Sequence, residues 1–435
     1  MVRTAQVRVG SGRGRGALRA IVAVVLAGAA LCVAGPPVGA QPLDFGATII
    51  VGQGLKVVAR QGVSNDATVS ALGDDFVVFT DETGLNIAWD LCWYPTAGDN
   101  TVVMCPNNGF HLEILLSDGD DRLLLTGDHF VPGHPASLGW EVDLGDGDDV
   151  LDAARTSTAG DFVGGPGDDR LVSGVDEDAW HGDSGTDAID YSSPQRASSD
   201  PVEVHLLVDG AGGGGRPKAN IEGAPPVFED TLWSIENAIG TAADGDELEG
   251  STARNDLDGG RGDDHLSGGG GDDVLVGGAG DDTLVGGTGI DRASYRDRTT
   301  PVTVDRNDLA GHGGPGESDV YAGDVEGVIG TNAGDTLIGT GGTDRFTGDA
   351  CQLAGPCPNH RGAGADTITT GGGMDDVNGG FGPDTIDGGA GSDGLNGGDG
   401  DDRILGGPDF DLIIGGNGTD DCDVGAGGGS TSTCE

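Results

Sequence analysis

Bulky apolar residues recur along the last part of the chain at a fixed step of nine: Ile368, Val377, Ile386, Leu395, Ile404 and Ile413, with Cys422 in the next place. Each stands two residues after an aspartate, namely Asp366, Asp375, Asp384, Asp393, Asp402, Asp411 and Asp420, and glycines crowd the positions ahead. One unit reads Gly388-Gly389-Ala390-Gly391-Ser392-Asp393-Gly394-Leu395-Asn396; Gly397-Gly398-Asp399-Gly400-Asp401-Asp402-Arg403-Ile404-Leu405 follows directly. A period held this long is a structural repeat. The three residues around each apolar position are too few for a helix and predict a short strand with one side chain facing in. The glycines permit positive φ and close backbone approach, which predicts a turn. Two units close one coil with a strand on each side. Coils stacked at about 4.8 Å give two parallel sheets whose apolar residues meet in the middle.

The same phase appears upstream. Asp169, Asp178 and Asp187 are followed by Leu171, Trp180 and Ile189. A second array runs through Asp246, Asn255, Asp264, Asp273, Asp282 and Asp291, with Leu248, Leu257, Leu266, Leu275, Leu284 and the smaller Ala293. Asn255 keeps an oxygen but loses the charge. A third, short array has Asp335 with Leu337 and Asp344 with Phe346. Asp121 and Asp149 are isolated units with no stacked partner evident. Two segments between arrays look like copies: Tyr191, Val202-Glu203-Val204 and Ile235-Glu236-Asn237-Ala238-Ile239-Gly240-Thr241 against Tyr295, Val302-Thr303-Val304 and Val325-Glu326-Gly327-Val328-Ile329-Gly330-Thr331. Before the repeats, Ala67–Ser70, Asp75–Thr80, Val102–Met104 and His111–Leu116 read as short strands.

The nonapeptide G-G-x-G-x-D-x-U-x, with U bulky and apolar, resembles the calcium-binding repeat of RTX, or hemolysin-type, proteins. The likeness covers about residues 117–423, with interruptions. It implies an all-β fold, a right-handed parallel β-roll (β-solenoid), here with a β-rich N-terminal cap. It also implies several Ca²⁺ ions held between turns of successive coils by position-six aspartates and turn carbonyls, and joining segments that add longer strands at the roll edge. The chemistry agrees: a carboxylate beside backbone carbonyls is the hard oxygen set that Ca²⁺ prefers. The expected ligands are Asp169, Asp178, Asp187, Asp246, Asp264, Asp273, Asp282, Asp291, Asp335, Asp344, Asp366, Asp375, Asp384, Asp393, Asp402, Asp411 and Asp420. Asp263, Asp272, Asp281 and Asp401, one residue earlier, are expected to face solvent.

Charge narrows the partners. The formal net charge is −51, from 22 basic and 73 acidic residues, and Gly numbers 87. Such a chain does not attract nucleic acid or an anionic membrane; its natural partners are cations. With 4% aromatic residues the core is thin, so metal binding is expected to be coupled to folding. Arg3, Arg8, Arg13, Arg15 and Arg19 precede an apolar run from Ala20 to Ala34, and Val38-Gly39-Ala40 offers a cleavage site, so a secreted protein is expected. Most RTX proteins use an uncleaved C-terminal signal; for this chain the general secretory route is expected instead. Beyond Cys32 the cysteines fall into three local pairs, Cys92 with Cys105, Cys351 with Cys357 and Cys422 with Cys434, read as disulfides of an oxidising compartment.

No enzymatic motif stands outside the repeat. His181-Gly182-Asp183-Ser184-Gly185 lies in register between Asp178 and Asp187, and neither H-E-x-x-H nor G-x-S-x-G occurs. The expected organisation is a signal peptide (1–40), N-terminal cap (41–115), first irregular array (116–190), joining segment (191–245), second array (246–294), joining segment (295–334), short array with a disulfide hairpin (335–361), and a third array with a C-terminal disulfide cap (362–435). The expected function is calcium binding without catalysis, with no membrane insertion and an extracellular or cell-envelope partner as an open possibility. The alternatives are an adhesion or interaction protein rigidified by calcium, which would need an exposed apolar or aromatic patch, and a secreted hydrolase or polysaccharide-active enzyme.

Overall fold

The computed structural model describes residues 47–51, 55–59, 66–72, 76–81, 85–87, 102–106, 112–116, 119–126, 140–156, 159–174, 178–193, 202–206, 218–221, 229–242, 245–308, 310–322, 324–349 and 364–434. The signal segment and the aromatic cluster of Trp89, Trp93 and Tyr94 near the first expected disulfide lie outside these residues, as do Cys92, Cys351 and Cys357 of two expected disulfides.

Each nonapeptide makes a turn and a short strand, and the strands stack in parallel on two faces. Leu266 lies opposite Leu284 on one face, and Leu257 opposite Leu275 on the other. In the last array Leu395 lies opposite Ile413 and Ile386 opposite Ile404. Partners are eighteen residues apart, so two units make one coil, as the period requires. Strands such as Thr367–Thr369 and Thr385–Asp387 turn one side chain inward between two that point out. Leu171, Trp180, Ile189, Leu257, Leu275, Ile368, Leu395 and Ile413 are all essentially inaccessible and form one continuous core. The protein is an all-β parallel β-roll.

One face is unbroken. Its ladder runs from Arg122–Thr126 through Val150–Arg155, Arg170–Val172, Ala188–Asp190 and Asn237–Ile239. It continues through Asp256–Asp258, Val274–Val276, Asp291–Ser294, Val325–Ile329 and Arg345–Thr347. It then passes Asp376–Phe381, Gly394–Asp399 and Asp411–Asn417 to end at Gly429–Ser432. The three arrays are therefore stages of one solenoid. The interruptions in sequence do not interrupt this sheet.

The other face carries the insertions, and the two joining segments have the same topology. In the first, Glu229–Trp233 stacks in parallel on Ala179–Ser184, Lys218–Ile221 runs antiparallel beside it, and Val202–His205 pairs antiparallel with that strand and parallel with Glu247–Glu249. In the second, Asp319–Tyr321 stacks on Thr283–Thr288, Ala310–His312 runs antiparallel beside it, a bridge joins Gly313 to Thr303, and Thr303–Asp305 pairs in parallel with Thr336–Ile338. In the first segment these strands are flanked on both sides within one sheet; in the second, Ala310–His312 ends one sheet and Thr303–Asp305 begins the next, with the Gly313–Thr303 bridge between them. All of them are short. Each segment thus puts four strand steps on this face against two on the other, about 10 Å of extra length. The likeness read from sequence is a likeness of fold.

The N-terminal strands match their expected places. Asp66–Leu72 pairs in parallel with Arg122–Thr126 and antiparallel with Phe76–Asp81, which pairs with Val102–Pro106. Leu112–Leu115 stacks on Trp140–Asp143 and, on its other side, on Leu55–Ala59, which Ala47–Val51 and Leu85–Ile87 extend to the end of the second face. Phe162 and Trp180 fill this end of the core with ring centroids 4.4 Å apart. At the other end the sulfurs of Cys422 and Cys434 stand at bonding distance, 2.06 Å.

Candidate metal centre

All seventeen expected ligand aspartates are buried, none more than 3% exposed. The cause is local. The turn brings the position-six side chain back over the first glycine of its own unit. A Cβ on Gly268, Gly277 or Gly397 would lie 2.3 Å from the Oδ2 of Asp273, Asp282 or Asp402. Only glycine leaves room for the carboxylate there.

The buried carboxylates form ladders along the roll. Oδ1 of each accepts a hydrogen bond from the backbone N–H of the position-six residue one coil earlier. Asp246 N donates to Asp264 at 2.6 Å, Asp264 N to Asp282 at 2.9 Å and Asp273 N to Asp291 at 2.9 Å. In the last array Asp366, Asp384 and Asp402 donate in turn to Asp384, Asp402 and Asp420. Asp344, Asp375 and Asp393 donate to Asp375, Asp393 and Asp411. One oxygen of each pair is thereby committed to the fold.

The other oxygen is not. Oδ2 of Asp149, Asp169, Asp187, Asp264, Asp273, Asp282, Asp291, Asp366, Asp375, Asp384, Asp393, Asp402, Asp411 and Asp420 is buried without a hydrogen-bond partner. A buried acceptor left unmet costs about 1–3 kcal/mol, and a row of them calls for a cation. Turn carbonyls stack beside the rows: a Cβ on Gly278 would lie 2.1 Å from Gly260 O, and one on Gly416 1.9 Å from Gly398 O. Among the described residues no three His, Cys, Asp or Glu side chains converge on one point, so any ion must take backbone oxygens as well. An all-oxygen set of one or two carboxylates with carbonyls fits Ca²⁺.

The remaining expected ligands differ. Thr241, Thr331 and Thr340 stand second in the opening turns of their arrays. Their N–H and hydroxyl groups donate to the Oδ2 of Asp246, Asp335 and Asp344. Asp344 also forms an ion pair with Arg306, and Asp178 Oδ1 accepts from Gly160 N. These oxygens are met by the protein itself.

Several acids in the ladders are ones the sequence reading did not select. Asp121 N donates to Asp149 and Asp149 N to Asp169, so the supposedly isolated units are stacked. Asp230 and Asp319 extend their rows by accepting from Asp178 N and Asp282 N, and each takes a buried tyrosine hydroxyl, from Tyr191 and Tyr295. Glu236 and Glu326 close two other rows on Asp187 N and Asp291 N. The signal was present: an acid recurs at matching places in both copied segments. Asp263, Asp272, Asp281 and Asp401 are exposed as expected, though each also accepts a backbone N–H from the next coil.

Burial drives the row carboxylates far above their ordinary range: Asp264 and Asp366 to about 8, and Asp149, Asp187, Asp273, Asp282 and Asp384 to about 7. Neighbouring carboxylates add to the effect, and the backbone N–H bonds oppose it. A folded-state value above the unfolded one contributes stability that is full below about pH 4 and is lost as pH rises through about 7–8. In chelator, the β signal in circular dichroism is therefore expected to be strongest in mild acid and to fall between about pH 5 and pH 8. Calcium displaces those protons, so its apparent affinity should rise over the same interval.

The model of the RTX calcium-binding nonapeptide repeat matches residues 243–275, 258–293, 329–351, 362–386, 369–404 and 396–430. No curated protein matches the chain. The match begins past the first array, yet the carboxylates of that array form the same ladder. From the period, the buried rows and this match together, residues 243–430 carry RTX calcium-binding nonapeptide repeats.

Proposed function

We propose that this chain is a secreted calcium-binding β-roll with no catalytic activity, whose folding is completed by the ions it takes up. The observation that carries the reading is the repeated buried carboxylate oxygen with no partner inside the protein. Such a row is unfavourable as a stack of bare charges and favourable once a divalent cation neutralises it. The position-six aspartates with an unmet Oδ2 would supply the carboxylate oxygens, and the stacked turn carbonyls the rest. Extracellular calcium modules have dissociation constants of about 10⁻⁴–10⁻³ M, which suits folding after export. Export itself rests on the Arg-led apolar segment before Gln41. The reading without catalysis rests on the paired aspartates of the arrays keeping the repeat phase and on a sequence with neither H-E-x-x-H nor G-x-S-x-G.

The test is a circular dichroism titration of residues 41–435 with CaCl₂, with MgCl₂ as the control. A cooperative gain of β signal with calcium, at concentrations where magnesium does nothing, is the expected result. A β spectrum unchanged by chelator would remove the coupling to folding.

A second reading, an interaction protein stiffened by calcium, has one observation in its favour. Phe410, Leu412 and Ile414 are 61, 50 and 39% exposed, the last two on the outer side of Asp411–Asn417. Retention of cell-envelope material by the wild-type chain in calcium, lost with Leu412→Ser, would support it.

A further inference from the structure

The turn that ends at Asp366 is built differently from its neighbours. In the last array the second position of each turn is glycine at positive φ, as at Gly380 (115°), Gly398 (106°) and Gly416 (112°). In the Asp366 turn that position is Asp349. Gly348 opens the turn: a Cβ there would lie 2.1 Å from Asp366 Oδ2, the relation Gly379 has to Asp384 at 2.6 Å. Residues 350–363 are inserted after Asp349, and 364–366 complete the turn.

Asp349 points into the row. It is 1% exposed, and its Oδ2 accepts from Phe381 N at 2.5 Å. That oxygen lies 2.5 Å from where a Cβ on Gly380 would stand, so the carboxylate occupies the space beneath the next coil. Its Oδ1 is buried with no partner. The charges that act on it and on which it acts are carboxylates, Asp335, Asp366 and Asp384. Among the described residues no arginine or lysine meets it, in contrast to Asp344, which has Arg306. A further buried negative charge added to a row of carboxylates, with no basic partner among the described residues, calls for a cation.

We infer that Asp349 is an additional calcium ligand, which makes the turn interrupted by residues 350–363 the site of highest negative charge in the Asp335–Asp366–Asp384 row. The inference rests on the calcium reading of the rows. Affinity in oxygen sites rises with the number of charged ligands, so this site fills first in its array.

The test compares the full wild-type chain with Asp349→Asn by calorimetric titration with CaCl₂ and by thermal melting with and without EDTA. Asp349→Thr is the second variant, since threonine already stands at this position in the turns of Asp335 and Asp344. Both variants are expected to lose one ion from the tightest class, or to bind it at least tenfold more weakly. In EDTA they are expected to melt no lower than wild type, because a buried unpaired charge has gone. Wild-type uptake with unchanged uptake in both variants would overturn this inference alone. Melting lowered equally with and without calcium would reduce Asp349 to a structural acceptor for Phe381 N and overturn it too. A wild-type chain that takes up no calcium would overturn the underlying reading, and this one with it.

Discussion

Gly398→Ala is expected to unstack the C-terminal array, with a loss of stability on the order of 4 kcal/mol or more, in the range reached only by severe substitutions. Gly398 sits at φ +106°, where a side chain costs about 1–3 kcal/mol in backbone strain alone. The added carbon would also stand 2.1 Å from Gly380 O and 2.9 Å from Gly380 C. Both are backbone atoms of the coil beneath, so no side-chain rotation relieves the overlap. The coils would have to separate, breaking the pairing of Gly394–Asp399 with Asp376–Phe381 and the carbonyl stack beside the ion row. Gly341→Ala is the control: nothing lies within 4 Å of its Cβ and its φ is ordinary, so the change should stay within about 0.5 kcal/mol. Denaturant midpoints in saturating calcium would measure both. Equal, small losses would show that the stack yields to a methyl group.

That contrast bears on what could be seen in the sequence. The nine-residue phase made the strands, the inward residues and the two-unit coil legible, because the repeat writes each turn in the same letters. Position-six burial followed from it. The interruptions were the hard part. Asp121 and Asp149 looked isolated because phase is counted along the chain, whereas stacking is measured across it. The insertion in residues 127–139 shifts the count without moving the next turn out of the ladder. Asp230, Asp319, Glu236 and Glu326 were hidden for the same reason, since they take ladder places from segments with no nonapeptide spacing. The copied segments are recognisable in the sequence, but the reversed middle strands, Lys218–Ile221 and Ala310–His312, depend on antiparallel pairing that no periodicity announces. Which aspartates are already met by threonine or arginine depends on contacts between residues far apart in sequence, and composition holds no trace of them.

Arg306→Gln is expected to cost about 3–5 kcal/mol, the usual loss when one partner of a buried ion pair is removed. Asp344 is fully buried, its Oδ2 is committed to Thr340 N at 2.7 Å, and the Arg306 guanidinium meets its Oδ1 and also donates to Val325 O. Glu326 ends one row on Asp291, and Asp344 begins the next by donating to Asp375 Oδ1 at 2.8 Å. The guanidinium therefore stands between two rows of carboxylates as a cation the protein supplies itself. The first junction reaches the same end by another route. There Glu236 closes the row on Asp187, and the next place is Asn255, whose side-chain amide donates to Glu236 O. One junction removes the charge and the other neutralises it. The double variant Arg306→Gln with Asp344→Asn should then recover most of the loss, because the stranded charge disappears along with its partner. Asn255→Asp should destabilise the first junction by about 1–3 kcal/mol, since it replaces a donor with a second acceptor facing Glu236 O. Urea midpoints at fixed calcium would measure all three. If Arg306→Gln cost less than about 1 kcal/mol, or the double variant fell further than the single, Arg306 would not be the counter-ion that separates the rows.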